Sequence, residues 1–455
     1  MRERNAEFQS EQQRKQVHRC ARGLETVDFF NLLTGPELLE MTESHLPEHR
    51  ERLYPPTVAL SMFMRQALSA DGSCQKAVNG WAAQRAAEGL GVQSVRTGGY
   101  CKARQRLPVA MVTALTRETG RLLSVGARRS WRWRGRTVKL VDGTGISMPD
   151  TPQNQASYPQ PHSQATGVGF PLMRLVAVVC LATGALIDAA IGPHEGKGSS
   201  ELGLLRGLGK AFSAGDLVLA DALYCNYFVI ATLLAAGVDV LFEQHGARVT
   251  DFRRGTSLSV RDHVVRLAKP QRPRWMTVPQ YAEFAAAITV REVKIDGQVL
   301  LTSLLNARNV SKGELHQLYA RRWDVELDLR NIKTTLGVEV LRCQTPTMIV
   351  KELWVHLLAY NLIRLLMAQA ALEVKVHPRE LSFKHTVQLW TEWSAHRGTR
   401  RANPATLFKL IAQRRAGNRP GLIEPRARKR RPKPYPWLKM PRAEAREHVR
   451  AYGHL

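Results

Sequence analysis

Leu318, Val325, Leu329, Ile332 and Leu336 recur at helical spacing in the stretch LHQLYARRWDVELDLRNIKTTLG, and positions 315–336 hold no Gly or Pro, so the pattern predicts one continuous amphipathic helix. A second stripe on it is polar. At about 100° per residue, Tyr319, Arg322, Glu326 and Lys333 fall within an arc of roughly 60°, centred about 75° from the apolar stripe. Arg321, Asp324 and Asp328 are expected on the solvent side. A carboxylate between two cations and a phenol, at the rim of a buried face, is either an ordinary i,i+4 ion-pair network or the working face of a site.

Upstream, residues 1 to about 125 carry helix-spaced apolar positions, as in FFNLLTGPELLEMTESHL and TVALSMFMRQAL, broken by Pro and Gly. The pattern then changes to short apolar runs at 138–141, 172–181 and 185–191, the last two joined by Thr183-Gly184, which predicts a tight hairpin. A helix with a capping serine follows to about Phe212, then a strand at 217–220, a helix from Asn226 and a strand near 238–242. This order predicts an α/β fold with a ribonuclease-H-like core. Asp142 in KLVDGTGI and Asp221 in LVLADALY are placed at the C-terminal ends of two strands. Each also has a structural explanation, Asp142-Gly143 as a turn dipeptide and Asp221 as a helix cap. Residues 243–299 are extra to a five-stranded core and rich in arginine (Arg248, Arg253, Arg254, Arg261, Arg266, Arg272, Arg274); a strand at 300–305 then leads to Ser311, a candidate cap for the polar-striped helix. The apolar helix at 351–372 is interrupted by Glu352, His356, Asn361 and Arg364, which favours packing on the sheet over lipid.

Composition narrows the partners. The chain has 455 residues and a formal charge of +27, which favours a polyanion, nucleic acid before an anionic membrane. No apolar run is long enough to span a bilayer uninterrupted, and the charged N-terminus lacks a signal core, so a cytoplasmic, nucleoid-associated protein with no membrane partner is expected. Cys20, Cys74, Cys101, Cys180, Cys225 and Cys343 form no C-x2-C pair, which favours reduced thiols over zinc or disulfides. Three basic stretches stand out. Residues 128–139 interleave six cations with Trp131 and Trp133, either a phosphate-tracking surface or a linker with two packed indoles. Lys102, Arg104 and Arg106 cluster before Pro108, and the proline-broken segment 426–442 has eight basic residues and no acid.

The spacing Y-x2-R-x3-E-x6-K from Tyr319 to Lys333, with Trp323 after the arginine, resembles the third catalytic block of the insertion-sequence-four family of DDE transposases; VDGTGISMPD and GDLVLADALYCNY are similar to its first and second blocks. The resemblance implies that Asp142, Asp221 and Glu326 are the catalytic residues and hold two Mg2+ (or Mn2+) ions, which agrees with the preference of hard cations for carboxylate oxygens. It places Tyr319, Arg322, Lys333 and Trp323 on DNA, Trp275 as the indole available to an extruded base, and Arg104 in a terminal-repeat-binding module. The implied partners are double-stranded terminal inverted repeats and target DNA, bound by a homodimer that nicks, forms and opens a hairpin, and transfers strands. The implied domains are a helical N-terminal DNA-binding domain at 1–127, ribonuclease-H-like core at 128–243 and 306–375, a β-rich insertion at 244–305, and a C-terminal helical region with a basic tail at 376–455. A nuclease of the same fold without strand transfer, and a non-catalytic DNA-binding descendant, are the alternatives.

Overall fold

The computed structural model describes residues 54–87, 89, 93–196, 198–395, 404–416 and 438–453. The chain up to 53 and most of the basic tail at 426–442 lie outside the described residues. Four helices lead it, α1 (Pro56–Leu68), α2 (Cys74–Ala87), α3 (Gly98–Arg106) and α4 (Val109–Val125), where the periodicity predicts them. There follow β1 (Val138–Ser147), α5 (Pro152–Ser157), β2 (Leu172–Cys180), β3 (Leu186–Pro193), α6 (Glu201–Arg206), β4 (Leu217–Ala220), α7 (Tyr227–Ala235) and β5 (Asp239–Glu243). The β2–β3 turn forms at Thr183-Gly184, with Gly184 at φ +74°, a conformation that costs glycine little.

Among the described residues the strands form one nine-stranded sheet in the order β3-β2-β1-β4-β5-β9-β8-β7-β6, completed by β6 (Thr256–Ser259), β7 (Asp262–Ala268), β8 (Ala287–Ile295) and β9 (Gln298–Thr302), with a short α8 (Val278–Glu283) between β7 and β8. β1, β4 and β5 are parallel, β2 runs antiparallel beside β1, and β3 runs antiparallel beside β2. The extra segment is β-rich as expected, yet it is no separate layer. β9 pairs antiparallel with β5, so the insertion extends the core sheet sideways.

Strand residues alternate between two cores. Leu140, Ile146, Leu219 and Leu241 face one in which the later helices pack, and Val141, Val178, Val218 and Val240 face α6 and α7 on the other side. The first layer contains α9 (Lys312–Ala320), α10 (Asp324–Arg330), α11 (Pro346–Glu373), α12 (Phe383–Ala395) and α13 (Pro404–Ala412); α14 (Arg442–Tyr452) follows. α11 is long and apolar enough to cross a membrane, but its most apolar window is 83% buried inside the protein. Its polar residues are used internally. Asn361 donates to the Thr116 and Leu186 carbonyls and accepts from Leu186 N–H, stitching α4 to β3.

The predicted continuous helix at 315–336 has a more broken course. Ser311 caps α9 in a reciprocal pair with Glu314. One 3-10 turn (Arg321–Trp323) then joins α9 to α10, and one π turn (Asn331–Thr335) ends it. All linking residues keep right-handed helical dihedrals, so the axis continues while its phase shifts. Asp328 is not on the solvent side. It is fully buried and ion-paired with Arg364 of α11 and with Arg379, whose Nη2 lies 2.8 Å from Asp328 Oδ2. The periodicity allowed one buried face, whereas this helix is covered by the sheet on one side and by α11 on another.

Candidate active site

β1 places the first acid. Its antiparallel pairing with β2 continues to Ser147, but its parallel pairing with β4 ends at Leu140–Leu219. Asp142 therefore sits inside a strand, beyond the end of its neighbour, and the expected strand terminus at Asp142 is not found. Where β4 stops, space opens above β1. The Asp142 carboxylate accepts from Gly143 N–H at 2.8 Å. Burial pushes its pKa up to about 6, opposed by that hydrogen bond and reinforced by Asp221 and Glu201, while Arg322 acts the other way.

Asp221 follows β4 directly and accepts from Leu223 N–H at 2.9 Å, so it caps the next turn, and it is near enough to Asp142 to raise that carboxyl's pKa. Glu326 comes from α10, which packs on β1. Its carboxylate receives a bond from Arg322 Nη2 at 3.3 Å. Asp142, Thr144, Glu326, Arg330, Lys333 and Glu339 line one open cleft of about 400 Å³. Among the described residues no three acidic, histidine or cysteine side chains are gathered closely enough to hold an ion as they stand; Glu326 is engaged by Arg322 rather than by the aspartates.

The other expected DNA contacts divide. Arg322 is buried, with its guanidinium 4.9 Å from the ring of Trp323, which is itself 60% exposed. Tyr319 is turned inward, its hydroxyl 3.3 Å from both the Ala220 carbonyl and Glu243 Oε2, and burial raises its pKa. The phenol thus braces the end of β4 that carries Asp221. Trp275 is half exposed, with the Arg206 guanidinium 3.9 Å over its ring. Arg104 is buried between the rings of Phe63 and Tyr100, so packing claims it, while Lys102 and Arg106 beside it are exposed. In 128–139 both indoles are packed, while Arg128, Arg129 and Arg134 stay exposed. Trp131 and Trp133 pack on the core, Arg132 donates to carbonyls at the end of α4, and Arg136 and Lys139 pair with Asp239 and Asp216.

Sequence reasoning missed Glu201, Tyr224, Glu243 and Glu339. Glu201 was legible only as the residue after a capping serine, Tyr224 lay in the GDLVLADALYCNY stretch without being singled out, and Glu243 and Glu339 carried no motif; each reaches the site through tertiary contacts.

A "Transposase DDE domain" matches residues 133–362, about half the chain, with the acidic cleft inside the match. The chain belongs to the DDE transposase family. It is 30% identical over 300 residues to "Transposase InsG for insertion sequence element IS4" of Escherichia coli (strain K12), covering 64% of this chain and 66% of that protein. It is 27% identical over 150 residues to "Putative transposase InsZ" of the same organism, covering 32% of this chain and 48% of that one. The chain thus spans just under two thirds of the first curated relative and about half of the second. A cryo-EM structure of a piggyBac transposase synaptic complex with hairpin DNA has a TM-score of 0.42 and 11% identity, over 87% of this chain and 86% of that one. DDE transposases generally use divalent metal ions.

Proposed function

We propose that the chain is a transposase that cuts DNA at the ends of an insertion sequence and joins the freed ends to a new target, with Asp142, Asp221 and Glu326 as its catalytic acids. The observation that carries this reading is the meeting of Asp142 of β1 and Glu326 of α10, from distant parts of the sequence, in one cleft with Lys333 at its wall, while Asp221, outside the cleft lining, is near enough to Asp142 to raise its pKa. The strand order β3-β2-β1-β4-β5 supports a ribonuclease-H-like core. On this scheme the helices before 127 recognise terminal repeats, 128–243 and 306–375 form the core, 244–305 reaches element-end DNA, and 376–455 forms the C-terminal region.

The donor set fits a divalent cation. Asp142 is held in a buried position near Asp221 and Glu201, with Arg322 offsetting only part of that like charge, and a hard cation would relieve it. Two Mg2+ or Mn2+ ions held by Asp142, Asp221 and Glu326 would activate the attacking water or 3′-hydroxyl and stabilise the leaving oxygen. The chain's own groups supply the rest. Arg322 neutralises Glu326 in this structure and is freed for a DNA phosphate once that carboxylate turns to the aspartates. Lys333 offers a second phosphate contact from the cleft wall, Tyr319 fixes the Asp221 turn, and exposed Trp323 offers a stacking face beside it. Trp275 takes an extruded base once Arg206 leaves its ring. The hairpin route, the homodimer and the terminal-repeat substrate rest on resemblance to the insertion-sequence-four family.

The test is cleavage of linear DNA carrying the element's flanking repeats, in Mg2+, by wild type and Glu326→Ala. Wild type should cut and join, and the variant should bind without cutting. Equal cutting by both proteins would overturn the assignment, and cutting without joined products would reduce the chain to a nuclease.

A further inference from the structure

Glu201 lies 59 positions after Asp142 in sequence and reaches the site from the opposite layer of the sheet. It opens α6, whose cap Ser200 accepts from Gly203 N–H. Its carboxylate rests on the backbone of β1 at Gly143. A Cβ at that glycine would lie 2.3 Å from Glu201 Cδ and within 2.6 Å of both carboxylate oxygens, so the residue after Asp142 is bare where the acid sits. On its other side, fully buried Tyr224, three residues beyond Asp221, donates its hydroxyl to Glu201 Oε2 at 2.9 Å. One side chain therefore touches the Asp142 strand and holds the Asp221 turn. Among the described residues it has no cationic partner within ion-pair distance.

We propose that Glu201 is a positioning residue of the transposase reaction, one that braces the two aspartates against each other and, by its unneutralised charge, sets how strongly that pair takes a divalent cation. This rests on the reading of Asp142 and Asp221 as cation-holding residues. A carboxylate kept near two others without a cation is costly in the free protein, and a bound ion recovers that cost. Removing the charge lowers the demand for the ion; removing the brace lets the aspartates drift. Gly143 separates these effects from simple loss of the side chain, because a methyl group there displaces the Glu201 carboxylate while leaving Glu201 and Tyr224 intact.

The experiment measures Mn2+ binding by electron paramagnetic resonance of free Mn2+, on the full-length protein with and without DNA, alongside thermal midpoints. Glu201→Gln keeps an acceptor for Tyr224 and should weaken Mn2+ binding about tenfold with its midpoint unchanged or raised. Gly143→Ala should weaken it by a similar factor, Tyr224→Phe by less, and Glu201→Asp should recover part of the loss. Wild-type Mn2+ binding by Glu201→Gln, with Asp142→Asn impaired, overturns the Glu201 role alone. A weakened Mn2+ affinity that tracks only a lowered midpoint overturns it as well. Unimpaired binding by Asp142→Asn overturns the parent reading and this one with it.

Discussion

Asp142→Asn should stabilise the protein when divalent ions are withheld, although it removes an acid proposed above as catalytic. The folded chain raises this carboxyl from its ordinary value of 3.8 to about 6, with burial as the main cause. At roughly 1.4 kcal/mol per pKa unit the ionised side chain costs about 3 kcal/mol near neutral pH. Asparagine keeps the oxygen that accepts from Gly143 N–H and needs no charge buried. Some of the gain is lost in finding acceptors for its amide hydrogens, so about 2 kcal/mol should remain. The pH dependence has a definite sign. Between 3.8 and about 6 the folded protein keeps a proton that the unfolded chain has released, so the contribution of this group is most favourable below 3.8, declines as pH rises through 6, and is flat above. Calorimetry in EDTA at pH 7.5 should show a midpoint rise on the order of 2 °C for the variant, shrinking to nothing near pH 4. Saturating Mg2+ should reverse the order by stabilising wild type alone. A lowered midpoint at pH 7.5, or an equal rise at both pH values, would refute the argument from buried charge.

Asp328→Ala leaves the buried Arg364 guanidinium of α11 without a carboxylate and Arg379 with only Asp324 at 3.9 Å, and should cost about 3–5 kcal/mol in chemical denaturation; a loss under about 1 kcal/mol would mean those charges reach water. Tyr319→Phe removes one donor at the end of β4 and should cost about 1 kcal/mol, lowering cleavage while DNA affinity holds. If filter binding instead shows the affinity falling, the phenol faces phosphate. Trp323→Ala removes an exposed ring, so the midpoint should stay put while affinity for single-stranded element ends weakens by about 1–3 kcal/mol; unchanged affinity by fluorescence anisotropy would remove Trp323 from the DNA surface.

Where local pattern decides structure, the sequence was readable. The strand at 217–220, the helix from about Asn226, the Ser311 cap and the turn at Thr183-Gly184 depend on neighbours a few residues away, and all form. Asp142-Gly143 reads locally as a turn, but nine-residue pairing with β2 overrides it. Asp328 and Arg364 each looked like isolated charges in their own helices, and only packing shows them as one pair. Arg132, Arg136 and Lys139 looked free because their acceptors are carbonyls and carboxylates elsewhere in the chain. The three proposed acids are singled out by a motif, whereas Glu201 reaches Gly143 from α6 and Glu243 reaches Tyr319 from β5, contacts that leave no trace in linear spacing.

Because β9 zips onto β5, the arginine-rich segment also serves as a guard rail for the core. Trimming the protein to a minimal catalytic unit by deleting 244–305 would bare the backbone of β5, an apolar strand able to recruit the same strand of another copy. The present outer rim is β6, only four residues long, polar and fully exposed, a far poorer template for stacking. A shortened enzyme should therefore precipitate before its chemistry can be judged, and engineering for compactness has to begin elsewhere in the chain.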